Sequence, residues 1–192
     1  MEAVEYRTLK ERQRAERDSY HPNLALRAHR ALSWLSRAEQ ADDLDGRFIF
    51  LWIAFNAAYA TEIDEQHRLN EQLAFTSFLQ KLCDLDKTKR IENTVWQEYP
   101  SAIRNLLNNP FAFKSFWDGQ SGKISEEEWQ ARFTSSKRRA TRALGDRDTD
   151  SVLGEVCNRL CTLRNQLVHG GATCSSKINC ATASACWASW CR

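Results

Sequence analysis

Three observations in the sequence predict an all-helical protein. Only three prolines and seven glycines interrupt 192 residues. The helix formers Ala, Leu, Arg, Glu and Gln dominate, and the apolar residues recur at helical spacing. With 42% hydrophobic and 27% charged positions the chain is long enough to bury a real core. The formal net charge of +2 neither requires nor excludes a nucleic-acid partner, so electrostatics must be read locally. Nothing at the charged N-terminus reads as a signal peptide. The longest apolar stretch, Phe48 to Ala60, is interrupted by Asn56 and falls short of the roughly 20 residues of a spanning helix. No membrane association is expected, and the cytoplasm is the expected location.

Residues 1–22 form a charged N-terminal extension. Glu2, Glu5, Glu11, Glu16 and Asp18 balance Arg7, Lys10, Arg12, Arg14 and Arg17, which predicts a solvated or frayed helix over residues 1–20. After Pro22, Leu24, Leu32, Trp34 and Leu35 predict a first core helix over 23–40. Asp42, Asp43 and Asp45 then supply carboxylates to the positive end of a second helix containing Phe48, Ile49, Leu51, Trp52, Ile53, Phe55 and Tyr59. That helix is apolar nearly all round and should be central. Within it, Asn56 needs a hydrogen-bond partner if buried. Leu73, Phe75, Phe78, Leu79 and Leu82 predict a helix over 69–85, a fourth covers 88–99, and Pro100 restarts the chain toward Leu107. Asn108-Asn109-Pro110 breaks it. The aromatic cluster Phe111, Phe113, Phe116 and Trp117 follows, then the turn 118–122. Ser125 and the three glutamates after it form an N-cap signature for a helix reaching Leu144. The last clear helix covers 150–168 and stops at Gly170-Gly171.

That last helix ends in Arg164-Asn165-Gln166-Leu167-Val168-His169. An arginine and a histidine can together cleave RNA without a metal. The guanidinium keeps its charge and forks onto phosphate oxygens, and an imidazole titrating near neutrality can take or give the 2'-hydroxyl proton. His169 would be general base or acid, Arg164 would clamp the phosphate and stabilise its transition-state charge, and Asn165 would orient or hydrogen-bond. The competing account is structural: Arg164 pairs with a carboxylate, and His169 merely caps a helix C-terminus, where the dipole favours a cation. Five residues on an ideal helix lie about 7.5 Å apart along the axis and roughly 140° apart around it. The pair therefore does not share a face. Either the arginine curls toward the histidine, the helix unwinds near Gly170, or a second subunit completes the site.

Arg164, Asn165 and His169 resemble the motif of HEPN domains, an arginine followed after four to six residues by histidine, with a polar residue after the arginine. The run from Arg47 through Tyr59 is similar to an early core helix of bacterial, Apea-like members. Between them, these segments extend the resemblance over residues 23–173. It implies an antiparallel helical bundle of the HEPN type, forming a homodimer whose Arg/His motifs face each other across a cleft. It also implies a metal-independent endoribonuclease in a toxin–antitoxin or phage-defence setting, with an antitoxin or nucleotidyltransferase as partner. The alternative is a noncatalytic RNA- or nucleotide-binding helical interaction module.

Lys137, Arg138, Arg139 and Arg142 are the candidate RNA-binding residues, on a basic helix segment with Arg132 and Arg147 and only Asp146 as a nearby acid. They either track a phosphate backbone or form a solvated charged face. His21, His29 and His67 lack metal-ligand spacing and read as surface residues. Cys157 and Cys161, four apart, read as buried thiols, since one helix supplies only two ligands at that spacing. No metal and no cofactor is expected, and no Gly-rich phosphate loop or nucleophile elbow is present.

Residues 174–192 form an atypical tail. Cys174, Cys180, Cys186 and Cys191 follow neither zinc-site spacing nor the expectation for a cytoplasmic disulfide framework. Reading the codons two bases later, Cys186-Trp187 must yield Leu, Trp187-Ala188 must yield Gly and Trp190-Cys191 must yield Val, whatever the wobble bases. With G or C at nearly all the remaining third positions, residues 179–192 can be read as Leu-Arg-Asp-Gly-Val-Arg-Leu-Leu-Gly-Phe-Leu-Val-Pro, the start of an amphipathic helix. A frameshift that replaced the final helix is therefore expected, and its loss would expose apolar surface on the bundle.

Overall fold

A computed structural model of the chain describes residues 4–59 and 71–170. Among these residues all regular structure is helical and no strand occurs. Gly171, His67 and the whole tail 174–192, with its alternate-frame reading, lie outside the described residues. No helix among the described residues is long and apolar enough to cross a membrane. The chain falls into two compact units that divide between Phe75 and Thr76, inside the stretch 23–173 read from the sequence as one domain.

The first unit holds α1 (Val4–Glu16), α2 (Pro22–Glu39) and α3 (Leu44–Tyr59). Pro22 begins α2 where its missing N–H costs nothing, and His21 Nδ1 accepts the Asn23 N–H at 3.3 Å. His29 sits 3.1 Å from Lys10 Nζ. Both histidines are exposed, as surface residues should be. Of the three aspartates around the start of α3, Asp43 does the capping, accepting the Gly46 N–H at 2.6 Å. Helix α3 buries Phe48, Leu51, Trp52, Ala54 and Phe55 and packs against α2, which buries Leu35 and Ala38.

The N-terminal extension differs from expectation. Far from being only solvated, α1 packs on α2. The Tyr6 N–H, an orphan donor of the first turn, is satisfied by Glu39 Oε1 at 2.9 Å, and Gln13 is buried. Two helix ends thus complete each other, which charge balance in a single segment cannot reveal. Asn56 Oδ1 is buried without a hydrogen-bond partner among the described residues.

The second unit begins within α4 (Glu71–Leu85), which straddles the division, and continues through α5 (Arg90–Asn93), α6 (Pro100–Asn108), α7 (Lys114–Gln120), α8 (Glu126–Asp146) and α9 (Thr149–Val168). The expected helix over 88–99 is instead a short α-helix that widens into a π turn over Thr94–Glu98, with the Tyr99 N–H reaching Thr94 O at 3.0 Å. Widening fits the side-chain holds on this turn: Thr94 and Val95 are buried, Trp96 Nε1 donates to Thr149 Oγ1 at 3.0 Å, and the Arg147 guanidinium lies 5.3 Å from the Trp96 ring centroid. Ser125 caps α8 by accepting the Glu128 N–H, as its sequence signature predicts. Asp148 caps α9 by accepting the Ser151 N–H at 3.1 Å.

Helix α9 is the axis of this unit. Val152, Leu153, Val156, Cys157, Leu160 and Leu163 are buried along it, and it packs against α6, α8 and the 3-10 turn Pro110–Ala112. Burial of several such side chains, each contributing about 1.5–3 kcal/mol, fixes its rotation in the bundle.

Candidate functional site

The rotation of α9 decides what its C-terminal motif presents. The helix stays regular to its end: the His169 N–H bonds back to Asn165 O at 2.9 Å, His169 is the C-cap at φ −98° and ψ 10°, and the chain leaves through Gly170 at φ +69°. Glycine meets that left-handed geometry without a Cβ penalty. Helical hydrogen bonding therefore holds as far as His169 and ends at Gly170. Asn165 and His169 are exposed, while Arg164 is half-buried. The five-residue offset leaves Arg164 and His169 on different sides of α9, and Asn165 and Gln166 flank the histidine.

The four candidate RNA-binding residues do not make a continuous basic face. Lys137 Nζ turns to the Phe133 ring, 5.8 Å from its centroid. Arg139 is spent on an ion pair, with Nε and Nη2 each 3.2 Å from Glu155 Oε1. Arg139 and Arg142 line a cleft of about 410 Å³ between α8 and α9, which they share with Asp146, Asp148 and Glu155. Two cations against three carboxylates is not a phosphate cradle. Asp146 is visible on α8 itself, whereas Glu155 and Asp148 arrive from the other wall. Arg138 remains exposed on α8.

The residue that sequence reasoning missed is Arg159. It is 1% exposed, donates from Nη2 to Ser136 Oγ at 2.9 Å and lies 3.5 Å from the Leu107 carbonyl oxygen. Its guanidinium sits 4.4 Å from the Phe113 centroid and 5.6 Å from that of Phe133. Ser136 in turn donates to Glu155 Oε2 at 3.0 Å, so a polar chain runs from Arg159 through Ser136 and Glu155 to Arg139. Burial lowers the Arg159 pKa to about 10, Glu155 opposes that shift and Arg139 adds to it, and the side chain stays cationic at neutral pH. A signal was present: Arg159 lies three residues after Val156 and four before Leu163, inside the buried stripe.

Cys157 is fully buried, and its thiol is pushed well above the ordinary value, chiefly by burial and further by Cys161. Cys83 is pushed up to about 12 by burial first and then by its hydrogen bond with Asp150. Neither is a nucleophile near neutral pH. Among the described residues, no group of three or more His, Cys, Asp or Glu side chains is placed to hold a metal ion.

No protein-family model, curated protein or solved structure matches the chain.

Proposed function

We propose that the chain is a HEPN-like endoribonuclease that acts in the cytoplasm as a homodimer, its bundle antiparallel in the HEPN manner. The observation that carries this reading is an exposed imidazole, His169, at the intact end of α9, five residues after Arg164. His169 takes the proton of a ribose 2'-hydroxyl, and O2' then attacks the adjacent phosphorus. The bond to the 5' oxygen breaks, that oxygen is protonated, and the products are a 2',3'-cyclic phosphate and a 5'-hydroxyl end. Arg164 holds the non-bridging oxygens and stabilises their growing charge, and Asn165 orients the group being transferred. No step requires a metal.

Because one helix separates Arg164 from His169 around its axis, the complete site is built from two copies, each supplying what the other's helix points away. The same separation favours the second reading, a noncatalytic module that binds RNA or a nucleotide. A toxin–antitoxin or phage-defence role, with an antitoxin or nucleotidyltransferase as partner, goes with the catalytic reading. Steady-state cleavage of single-stranded RNA by the full chain and by His169→Ala separates the two: a loss of at least a hundredfold is expected from removing a general base. Equal rates would sink catalysis by this motif.

A further inference from the structure

The turn Pro110–Ala112 is fastened to α9 at two points. Gln166 Nε2 donates to the Phe111 carbonyl oxygen at 2.9 Å, and seven residues earlier the Arg159 guanidinium stacks over Phe113. Seven residues return a helix to within about 20° of the same side, so both holds come from one stripe of α9. Trp117 Nε1 also donates to the Phe111 carbonyl, at 2.7 Å, and the Phe111 N–H is accepted by Asn109 Oδ1 at 2.9 Å. Three hydrogen bonds thus fix the Phe111 backbone. Its ring rests edge-on against Phe116, with centroids 5.1 Å apart, yet is 51% exposed.

Gln166 and His169 are three apart on α9 and so about 60° apart around it, neighbours on the helix surface. The Phe111 carbonyl is therefore held by a residue about one helical turn before the exposed imidazole. A pre-ordered aromatic surrenders little entropy on binding, and every nucleobase presents a face that can stack on it.

We propose that Phe111 is the platform on which an unpaired nucleobase of the RNA substrate stacks, next to the phosphate at His169, with Gln166 as the positioning residue that holds the platform to the catalytic helix. This rests on the Arg164/His169 pair being an RNA site, and it requires a base that can splay out onto the ring, as in a single strand or a loop and not in a continuous duplex.

The test uses the full chain and a short 2'-O-methyl oligoribonucleotide, which has no nucleophilic hydroxyl and cannot be cleaved, carrying one 2-aminopurine as a stacking reporter. Phe111→Ala should weaken binding by roughly 5- to 150-fold and abolish quenching of the reporter. Phe111→Trp should keep both, and Gln166→Ala should lose part of each, with all circular dichroism spectra alike. Unchanged affinity and quenching in Phe111→Ala overturns the proposal, as does equal loss in Phe111→Trp. A drop in sedimenting mass with RNA binding unaltered also overturns it, and identifies Phe111 as a contact between copies. Catalysis is read separately on unmodified RNA. Quenched binding without cleavage removes the catalytic reading and leaves the platform. Cleavage with the same KM in Phe111→Ala removes the platform and leaves catalysis.

Discussion

The guanidinium of Arg159 lies 4.4 Å from the centre of the Phe113 ring, sealed from water beneath the turn that carries Phe111. Among the described residues the cation receives no carboxylate directly. Its nearest acid, Glu155, is reached through Ser136. Burying a charge is costly unless hydrogen bonds and ring faces compensate, so this residue is where the second unit is most sensitive.

Replacing Arg159 should show it. Arg159→Ala removes the stacking on Phe113 and Phe133 and the donor to Ser136, and leaves a cavity, for an expected loss of about 3–5 kcal/mol. Arg159→Met fills most of the volume without a charge, and Ser136 keeps Glu155 as a partner, so it should cost clearly less. Urea denaturation of the three proteins checks the order. Equal stability of wild type and Arg159→Ala would remove the network from any account of the fold.

Glu155 is the counterweight to the basic helix. It is largely buried beside Arg139, at 16% against 64% side-chain exposure, and it holds that arginine back from other anions. Glu155→Gln should free Arg139 and remove one of three carboxylates from the cleft. Binding to RNA or heparin should tighten, with the slope of log affinity against log salt steeper by about one counterion. An unchanged slope would mean that the α8 arginines stay outside any polyanion contact.

The cap of α9 gives an acid-dependent contribution. The Asp148 carboxyl is held below its ordinary 3.8, first by its side-chain hydrogen bond with Ser151 and then by the Ser151 backbone N–H. A depressed carboxylate stabilises the fold fully above its unfolded value, and that contribution fades as pH falls through the lower folded value. Asp148→Ala should therefore cost about 1 kcal/mol at pH 7 and progressively less below pH 3.8. Melting curves of both proteins across that range decide it: a gap that stays constant in acid contradicts the assignment.

Cys83 and Cys157 should be silent toward thiol reagents in the native protein. With the Cys83 thiol near 12 and that of Cys157 well above its ordinary value, neither supplies thiolate at pH 8. Brief iodoacetamide treatment followed by peptide mapping should leave both unlabelled until denaturant is added. Because the raised Cys83 value favours the protonated native state, its contribution to stability holds below about pH 9 and is lost as pH rises toward 12. Rapid native labelling of Cys83 would show that α4 opens more readily than its packing implies.

Local signals carried much of the fold. Ser125 capping α8, Pro22 and Pro100 opening α2 and α6, and Gly170 ending α9 all lie within a few residues of the effect they cause, and the structure places each boundary close to where the pattern sets it. The departures are nonlocal. The π turn at Thr94–Glu98 is held through Trp96 by Thr149, and α1 is ordered against α2 through Glu39. No window of sequence short enough to reveal a helix contains both partners.

For the candidate site the division is sharper. The sequence by itself determined that α9 ends in an arginine and a histidine five apart, because helix periodicity and the glycine stop are properties of adjacent residues. Only the tertiary structure decided that His169 is exposed while Arg164 is half-buried, that Arg139 is committed to Glu155, and that Gln166 and Arg159 fasten the turn carrying Phe111 to α9. Those facts depend on how α9 is rotated against α6 and α8, and that rotation is set by burial of an apolar stripe whose partners lie far away in the chain.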